Sequence, residues 1–202
     1  MFKSIFENFR KPKDNFVGRF MVKSMNSGHE KLAKWGRSYI LVDKDYIVLD
    51  LGCGGGRNIE YFLTKAKKVY GIDHSETCVK MASELNKEAI NSGRCQILLG
   101  DVKKLPFEDE SIDVVTAFET IYFWNDIEEC FKEIYRVLKK GGQFLICNEA
   151  SSMKRRDVKK LANSIDMEVY TPGDLTKILT QLGFKCEYHL DRKEQVVFIA
   201  RK

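Results

Sequence analysis

Residues 46–56 read YIVLDLGCGGG, a short apolar run that leads directly into a glycine-rich loop. A β-branched run of this length predicts a buried strand, and a helical pattern begins at Ile59 to Leu63. Glycines between a strand and a helix permit a sharp turn and let a ligand approach bare backbone amides. The stretch therefore predicts a strand, a ligand-binding loop and a helix, although a glycine-rich turn without a ligand would have the same composition.

The same scheme repeats along the chain on the C-terminal side of this loop. Strands are predicted at residues 69–73, 96–99, 112–118 and 143–147. Helices are predicted from an N-cap at Ser75 to about Ala89, and from about Ile127 to Leu138, with Gly141 and Gly142 ending the second. Strands that alternate with helices at this spacing predict βαβ units and a parallel sheet.

The C-terminal residues follow a different pattern. Thr171 and Pro172 are typical of a helix start, and two strand-like runs follow at 184–190 and 196–201. The connection between these runs is too short for a crossover helix, so they predict an antiparallel hairpin at the edge of the sheet. Residues 149–170 are then an insertion, which we expect to form a partly helical lid.

The first 45 residues are predicted to be helical. One helix is indicated by the apolar spacing from Phe2 to Phe9, and a second by residues 16–25. Ser27 and Glu30 have the spacing of a capping box that opens a third helix. We expect these helices to cover the strand ends as part of the lid.

Length and composition favour one globular unit. The chain has 202 residues, of which 44% are hydrophobic, and these numbers suit a single core. No apolar run approaches the roughly 18 residues that cross a bilayer, so a cytoplasmic location is expected. The six cysteines form no C-x-x-C pair, and we interpret them as reduced residues; no metal site is predicted. The predicted single domain, 1–202, comprises an N-terminal helical cap at 1–45, a cofactor-binding core at 46–148, the insertion at 149–170 and a C-terminal helix and hairpin at 171–202.

Three aspartates follow predicted strands. Asp50 precedes the glycine loop, Asp73 ends the second strand and Asp101 follows the third. The carboxyl ends of parallel strands share one edge of a sheet, so the three side chains are expected near one ligand. Asp73 has the spacing of a carboxylate that accepts hydrogen bonds from ribose hydroxyls, and Asp101 is placed to accept from an adenine amine. Arg57 stands where a dinucleotide site has its third glycine, which argues against a nicotinamide dehydrogenase.

These motifs together resemble those of a known family. The matching pieces are VLDLGCGGG at 48–56, VYGIDHS at 69–75, GDVKKLPFEDESIDVV at 100–115 and VLKKGGQFLI at 137–146. They resemble the class I S-adenosylmethionine-dependent methyltransferases, particularly the small stand-alone ones that act on small molecules. The resemblance implies a Rossmann-like α/β fold, a seven-stranded and mostly parallel sheet with an antiparallel C-terminal hairpin strand and an N-terminal helical lid. It also implies S-adenosylmethionine as cofactor and S-adenosylhomocysteine as product.

The resemblance also implies roles for individual residues. Phe118 and Glu119 would border the methionine end and the acceptor, and the candidate catalytic residues are Glu119, His29 and Tyr122, with Glu149 a further candidate base. The residues expected to bind the cofactor are Asp50, Gly52, Cys53, Gly54, Asp73, His74, Asp101, Val102 and Phe118.

The acceptor stays open at this stage. A small molecule is favoured, partly because no N/D-P-P-Y/F/W motif of nucleic-acid methyltransferases is present. The basic residues in segments 1–40 and 151–160 motivate an alternative, an acceptor on RNA or protein. A protein that binds S-adenosylmethionine without turning it over is the third hypothesis.

Overall fold

The computed structural model describes residue 12 and residues 14–202, without the side chains of residues 23 and 25–27. The helix predicted from Phe2 to Phe9 lies outside the described residues.

A single mixed sheet forms the centre of the described part of the chain. Its seven strands are β1 (Ile47–Leu51), β2 (Lys68–Asp73), β3 (Cys95–Leu99), β4 (Ile112–Phe118), β5 (Leu138–Asn148), β6 (Lys185–Leu190) and β7 (Val196–Arg201). They lie in the order β3-β2-β1-β4-β5-β7-β6. Only β7 runs antiparallel to its neighbours, β5 and β6. The predicted Rossmann-like sheet and its C-terminal edge hairpin are confirmed.

Helices cover both faces of this sheet. They are α1 (Phe16–Gly28), α2 (Glu30–Arg37), α3 (Arg57–Leu63), α4 (Glu76–Leu85), α5 (Lys87–Asn91), α6 (Ile127–Val137), α7 (Arg156–Ile165) and α8 (Pro172–Gln181), with a 3-10 turn at Ile121–Phe123.

The core has two halves because successive strand residues point to opposite faces. In β5, Phe144 packs with Phe131 of α6 on one face. Its neighbour Leu145 packs in the cluster on the other face, with Phe62 of α3 and Leu32 of α2. Phe131, Phe144 and Phe62 are fully buried, and burial of each such side chain stabilises the fold by about 1.5–3 kcal/mol.

Two predicted helix boundaries in the parallel part of the fold are wrong. The helix capped by Ser75, whose hydroxyl accepts from the amide of Cys78, divides at Asn86 into α4 and α5. The side-chain amide of Asn86 donates to the carbonyls of Gly56 and Ala82. The junction between α4 and α5 is therefore hydrogen-bonded to the glycine loop.

The second wrong boundary concerns Gly141 and Gly142, which lie inside β5 instead of ending a helix. A Cβ at Gly142 would come within 2.8 Å of the carbonyl oxygen of Lys139, so a glycine is needed for the strand to pass this point.

The predicted capping box at Ser27 is also wrong. Ser27 lies in the last turn of α1, and His29 is the N-cap of α2 without a side-chain capping bond. The carboxylate of Glu30 accepts instead from the guanidinium of Arg37 at 2.6 Å. By contrast, the helix start predicted at Thr171 and Pro172 is confirmed, because α8 begins at Pro172. Thr171 and Asp174 form a capping box there.

Candidate functional site

The loop after β1 adopts a conformation that its glycines allow. Gly52, Gly54 and Gly56 have φ values of +65°, +52° and +82°, which L side chains rarely adopt. A Cβ on Gly52 would also lie 2.0 Å from Oγ1 of Thr120. The amides of Gly52 and Cys53 donate to the carbonyl of Ile72, so the loop is fixed against the end of β2.

Asp73 ties this loop to the start of α4. Its Oδ2 accepts from the amide of Gly54 and its Oδ1 from the amide of Ser75, both at 2.9 Å. Burial raises the pKa of Asp73, while these backbone hydrogen bonds act in the opposite direction. Each carboxylate oxygen can accept two hydrogen bonds, so the side chain keeps capacity for a ligand.

Two adjoining cavities meet at Asp73. The larger has a volume of about 280 Å³ and the smaller about 140 Å³. Asp101 and Val102 line the smaller cavity. The residues common to both cavities are Gly52, Asp73, His74, Thr120, Phe123 and Trp124. The structure therefore brings Asp73 and Asp101 to one continuous cleft at the carboxyl edge of the sheet.

The far end of the larger cavity, lined by residues that the smaller one does not share, combines apolar walls with ionisable side chains. Its apolar lining includes Leu32, Phe118, Leu161, Ile165 and Met167. His29 at the start of α2, Glu119 after β4 and Glu149 after β5 lie on the same cavity. The predicted lid elements, α2 and α7, thus both contribute to its walls.

Glu119 and Tyr122 are held together at this end. Glu119 has a φ of +58°, and its Oε1 accepts from the hydroxyl of Tyr122 at 3.1 Å and from the amide of Glu149. The Tyr122 hydroxyl also accepts from the amide of Ala150 at 2.9 Å. Burial raises the pKa of Glu119 to about 8, and the nearby charge of Glu149 adds to the effect.

Asp50 lies behind the cavity rather than on its lining. The carboxylate is 2% exposed, and its Oδ1 accepts from the hydroxyl of Thr116 at 2.6 Å. Its Oδ2 has no hydrogen-bond partner. Burial raises the pKa of Asp50 to about 7, with a further rise from Asp73 and a lowering from Arg37.

Arg37 is a site residue that the sequence analysis missed. The guanidinium is buried, donates to Asn58 and Glu30, and stacks over the ring of Tyr61 at 4.3 Å. Its Nε has no hydrogen-bond partner. Asn58 and Glu30 themselves line the larger cavity. Arg37 is the last residue of α2, where a charged side chain is usually exposed to solvent. The sequence therefore gives no signal that it is buried beside a cleft.

Comparison with known proteins identifies the fold and its cofactor. Residues 49–146 match the model of the Methyltransferase domain family. A cycloartenol-C-24-methyltransferase 1 from Oryza sativa subsp. japonica is 36% identical over 158 residues, which are 73% of this chain and 46% of that protein. The chain therefore spans less than half the length of this curated relative.

Solved structures give the same result at the level of the fold. A methyltransferase in complex with the Haloferax volcanii Trm112 methyltransferase activator superposes with a TM-score of 0.79 and 21% identity, covering 91% of this chain and 93% of that one. A Haemonchus contortus phosphoethanolamine N-methyltransferase 2 that holds S-adenosylhomocysteine has a TM-score of 0.72 and 17% identity, covering 85% of this chain and 52% of that one.

Residues 49–146 form a class I S-adenosylmethionine-dependent methyltransferase domain. The family and cofactor predicted from the sequence are confirmed.

The residues of the cleft suit this cofactor. Asp73 and Asp101 supply acceptors for hydroxyl and amine groups along one wall. Two buried atoms of residues next to the cleft have no hydrogen-bond partner in the described part of the chain, Nε of Arg37 and Oδ2 of Asp50.

Among the residues that the structure describes, no helix has the length and apolar character to cross a membrane. The six cysteines all lie in the described region and are free. Burial raises the pKa of Cys53 and Cys147, which keeps these thiols protonated and unreactive.

Proposed function

We propose that the protein transfers the methyl group of S-adenosylmethionine to a small, mainly apolar acceptor. The observation that carries this proposal is the apolar wall of Leu32, Phe118, Leu161 and Ile165 at the far end of the larger cavity. The larger cavity, of about 280 Å³, is also bordered by the donor-binding Gly54 and Asp73, so the space that remains beyond the donor suits a small molecule or one end of a larger one. Sterol methyltransferases among the curated relatives make apolar acceptors the first class to test.

The cofactor supplies an activated methyl group on a sulfonium, and the protein has mainly to position the acceptor and exclude water. Well-oriented reactants lower a barrier by about 7–11 kcal/mol. We assign donor binding to Asp73, Asp101 and the loop at Gly52 and Gly54, with Cys53, His74, Val102 and Phe118 as neighbouring contacts. Arg37 would position the cavity residues Asn58 and Glu30, and Asp50 would support the glycine loop from behind the cavity.

The three candidate catalytic residues have different parts in this proposal. Tyr122 already bonds to Glu119 and Ala150, so its hydroxyl supports the wall of the cavity. Glu119 is fixed by that contact and faces the larger cavity together with His29. His29 and Glu149 make no hydrogen bond to each other among the described residues, which leaves both side chains able to contact an acceptor.

A labelled-methyl experiment tests the proposal. The protein is incubated with methyl-labelled S-adenosylmethionine and a cell extract separated into apolar metabolites, polar metabolites, RNA and protein. We expect label in the apolar metabolites together with formation of S-adenosylhomocysteine. Label in RNA would instead support the alternative suggested by the exposed basic residues of segment 151–160, which are Lys154, Arg155, Arg156, Lys159 and Lys160. Donor binding without product in any pool would support a protein that only binds the donor.

A further inference from the structure

Three side chains from separate segments converge at the acceptor end of the larger cavity. His29 precedes α2, Glu119 follows β4 and Glu149 follows β5. One ligand atom from each lies within 4.8 Å of the others. The cluster thus combines an imidazole nitrogen with oxygens of two carboxylates, a donor set found at metal sites.

The three groups approach one another without pairing. No salt bridge within 4.0 Å joins His29 to either carboxylate among the described residues. The hydrogen bonds of the Glu119 carboxylate use Oε1, which leaves Oε2 directed to no partner. Within the cluster, the Glu119 carboxylate bonds to the backbone amide of Glu149, and the Glu149 side chain stays available to a ligand.

Other groups of the protein hold Glu119 in place before any metal binds. Its backbone has a φ of +58°, and its amide donates to the carbonyl of Cys147 at 3.0 Å. The hydroxyl of Tyr122 and the amide of Glu149 hold the carboxylate. A carboxylate oriented by other groups of the protein is typical of metal ligands, whose neighbours hold them in place.

The electrostatics of the cluster also favour a cation. The side chains of Glu119 and Glu149 both face the larger cavity. A divalent ion between them would be attracted by both carboxylates. Glu149 is exposed, so its side chain can move toward the other two ligands.

We propose that His29, Glu119 and Glu149 bind one divalent first-row metal ion, with Mn²⁺ as the best match. Carboxylate oxygens suit Mn²⁺, and imidazole is a common ligand of the later metals of that row. Three protein ligands leave coordination positions open toward the cavity. The spacing of cysteines and histidines in the sequence predicts no metal site. His29, Glu119 and Glu149 are far apart in the sequence and come together only in the folded chain.

Titration with Mn²⁺ tests this site without donor or acceptor. The full chain is treated with a chelator and exchanged into metal-free buffer, and free Mn²⁺ is followed by its electron paramagnetic resonance signal. We expect one bound ion per chain, and at least tenfold weaker binding in the His29→Ala, Glu119→Gln and Glu149→Gln variants. His189→Ala and Glu108→Gln are matched controls outside the cluster and should bind Mn²⁺ as the wild-type chain does.

Two results of this titration would contradict the metal proposal. Absence of Mn²⁺ binding below millimolar concentration would overturn the proposal, as would binding that none of the three cluster variants weakens. Circular dichroism confirms that each variant is folded. Glu149→Gln is the safest of the three because its side chain is exposed. Donor binding is measured separately with S-adenosylhomocysteine, so failure of the methyltransferase proposal and failure of the metal proposal are distinguishable.

Discussion

Asp73 is the residue on which donor binding depends most. Its carboxylate orients the glycine loop through the amide of Gly54 and lies where the two cavities meet. Asp73→Asn keeps the shape but removes the charge, and a hydrogen bond to a charged group contributes about 1.5–3 kcal/mol. We expect the Kd for S-adenosylhomocysteine in calorimetry to rise about 10- to 100-fold. The exposed Asp45→Asn is the matched control, and an Asp73 variant that binds within twofold of wild type would contradict the assignment.

Asp50 should make stability depend on pH. Its pKa is about 7 in the folded chain, against about 3.9 for an ordinary aspartate, so the folded state binds more protons between these values. The contribution of this group is fully present below pH 4 and is lost as the pH rises through 7. The size of the loss is at most about 4 kcal/mol. The groups that face Asp50 are Thr116, Asp73 and Arg37.

The comparison with Asp50→Asn isolates this effect. The amide does not titrate, so the free energy of unfolding of wild type relative to the variant should fall between pH 5 and pH 8 in denaturant titrations. If the difference in unfolding free energy between wild type and Asp50→Asn stays constant or increases over this pH range, Asp50 is already ionised in the folded chain at pH 5. Both proteins are measured without cofactor, because bound donor would change the charge beside Asp50.

At the scale of elements, α7 is the part of the lid that contacts the acceptor in our proposal. Leu161 and Ile165 lie one helical turn apart and both line the larger cavity. Replacing both with serine should lower methyl transfer to the apolar acceptor pool about tenfold while leaving the Kd for S-adenosylhomocysteine within twofold. Met153→Ser, on an exposed residue outside the cavity lining, is the control. Equal losses of donor and acceptor binding would place α7 over the donor instead.

The elements differ in how far the sequence could predict them. The parallel strands of the βαβ units were predictable because each contains a short apolar run with a recognisable end; for example, Gly52 follows β1, and β2 ends at Asp73. The prediction of a capping box at Ser27 failed because α1 continues through Ser27 and because Glu30 bonds instead to Arg37, seven residues further along the chain. Likewise, Gly141 and Gly142 look like a helix stop, although β5 begins before them.

The site was predictable where one short segment forms it and hidden where separate segments meet. The glycine loop and Asp73 carry their spacing in the sequence. Burial of Arg37 against Tyr61 and Asn58 follows from the packing of α2 on α3, which no local pattern encodes. The grouping of His29 with Glu119 and Glu149 depends in the same way on three chain segments meeting at one cavity.

For the whole molecule, the two-part cleft predicts that donor and acceptor protect different regions from hydrogen exchange. Saturating S-adenosylhomocysteine at 100 times its Kd stabilises the fold by about 2.7 kcal/mol. This stabilisation slows hydrogen exchange at every amide that exchanges only by global unfolding, wherever the amide lies. The amides that locate the ligand are therefore those that exchange by local opening of the structure. We expect the largest local protection at residues 52–58 and 73–78 and in the segment 118–124, which border the donor.

The lid should respond differently in the same experiment. Residues 156–165 of α7 contact the acceptor end of the larger cavity through Leu161 and Ile165, so S-adenosylhomocysteine alone should leave their exchange within twofold of the free protein. Strand β6, at the far edge of the sheet, is the internal reference. Protection of α7 equal to that of the glycine loop would mean that the lid closes on the donor. The acceptor would then have to enter before the donor, or from another side of the cleft.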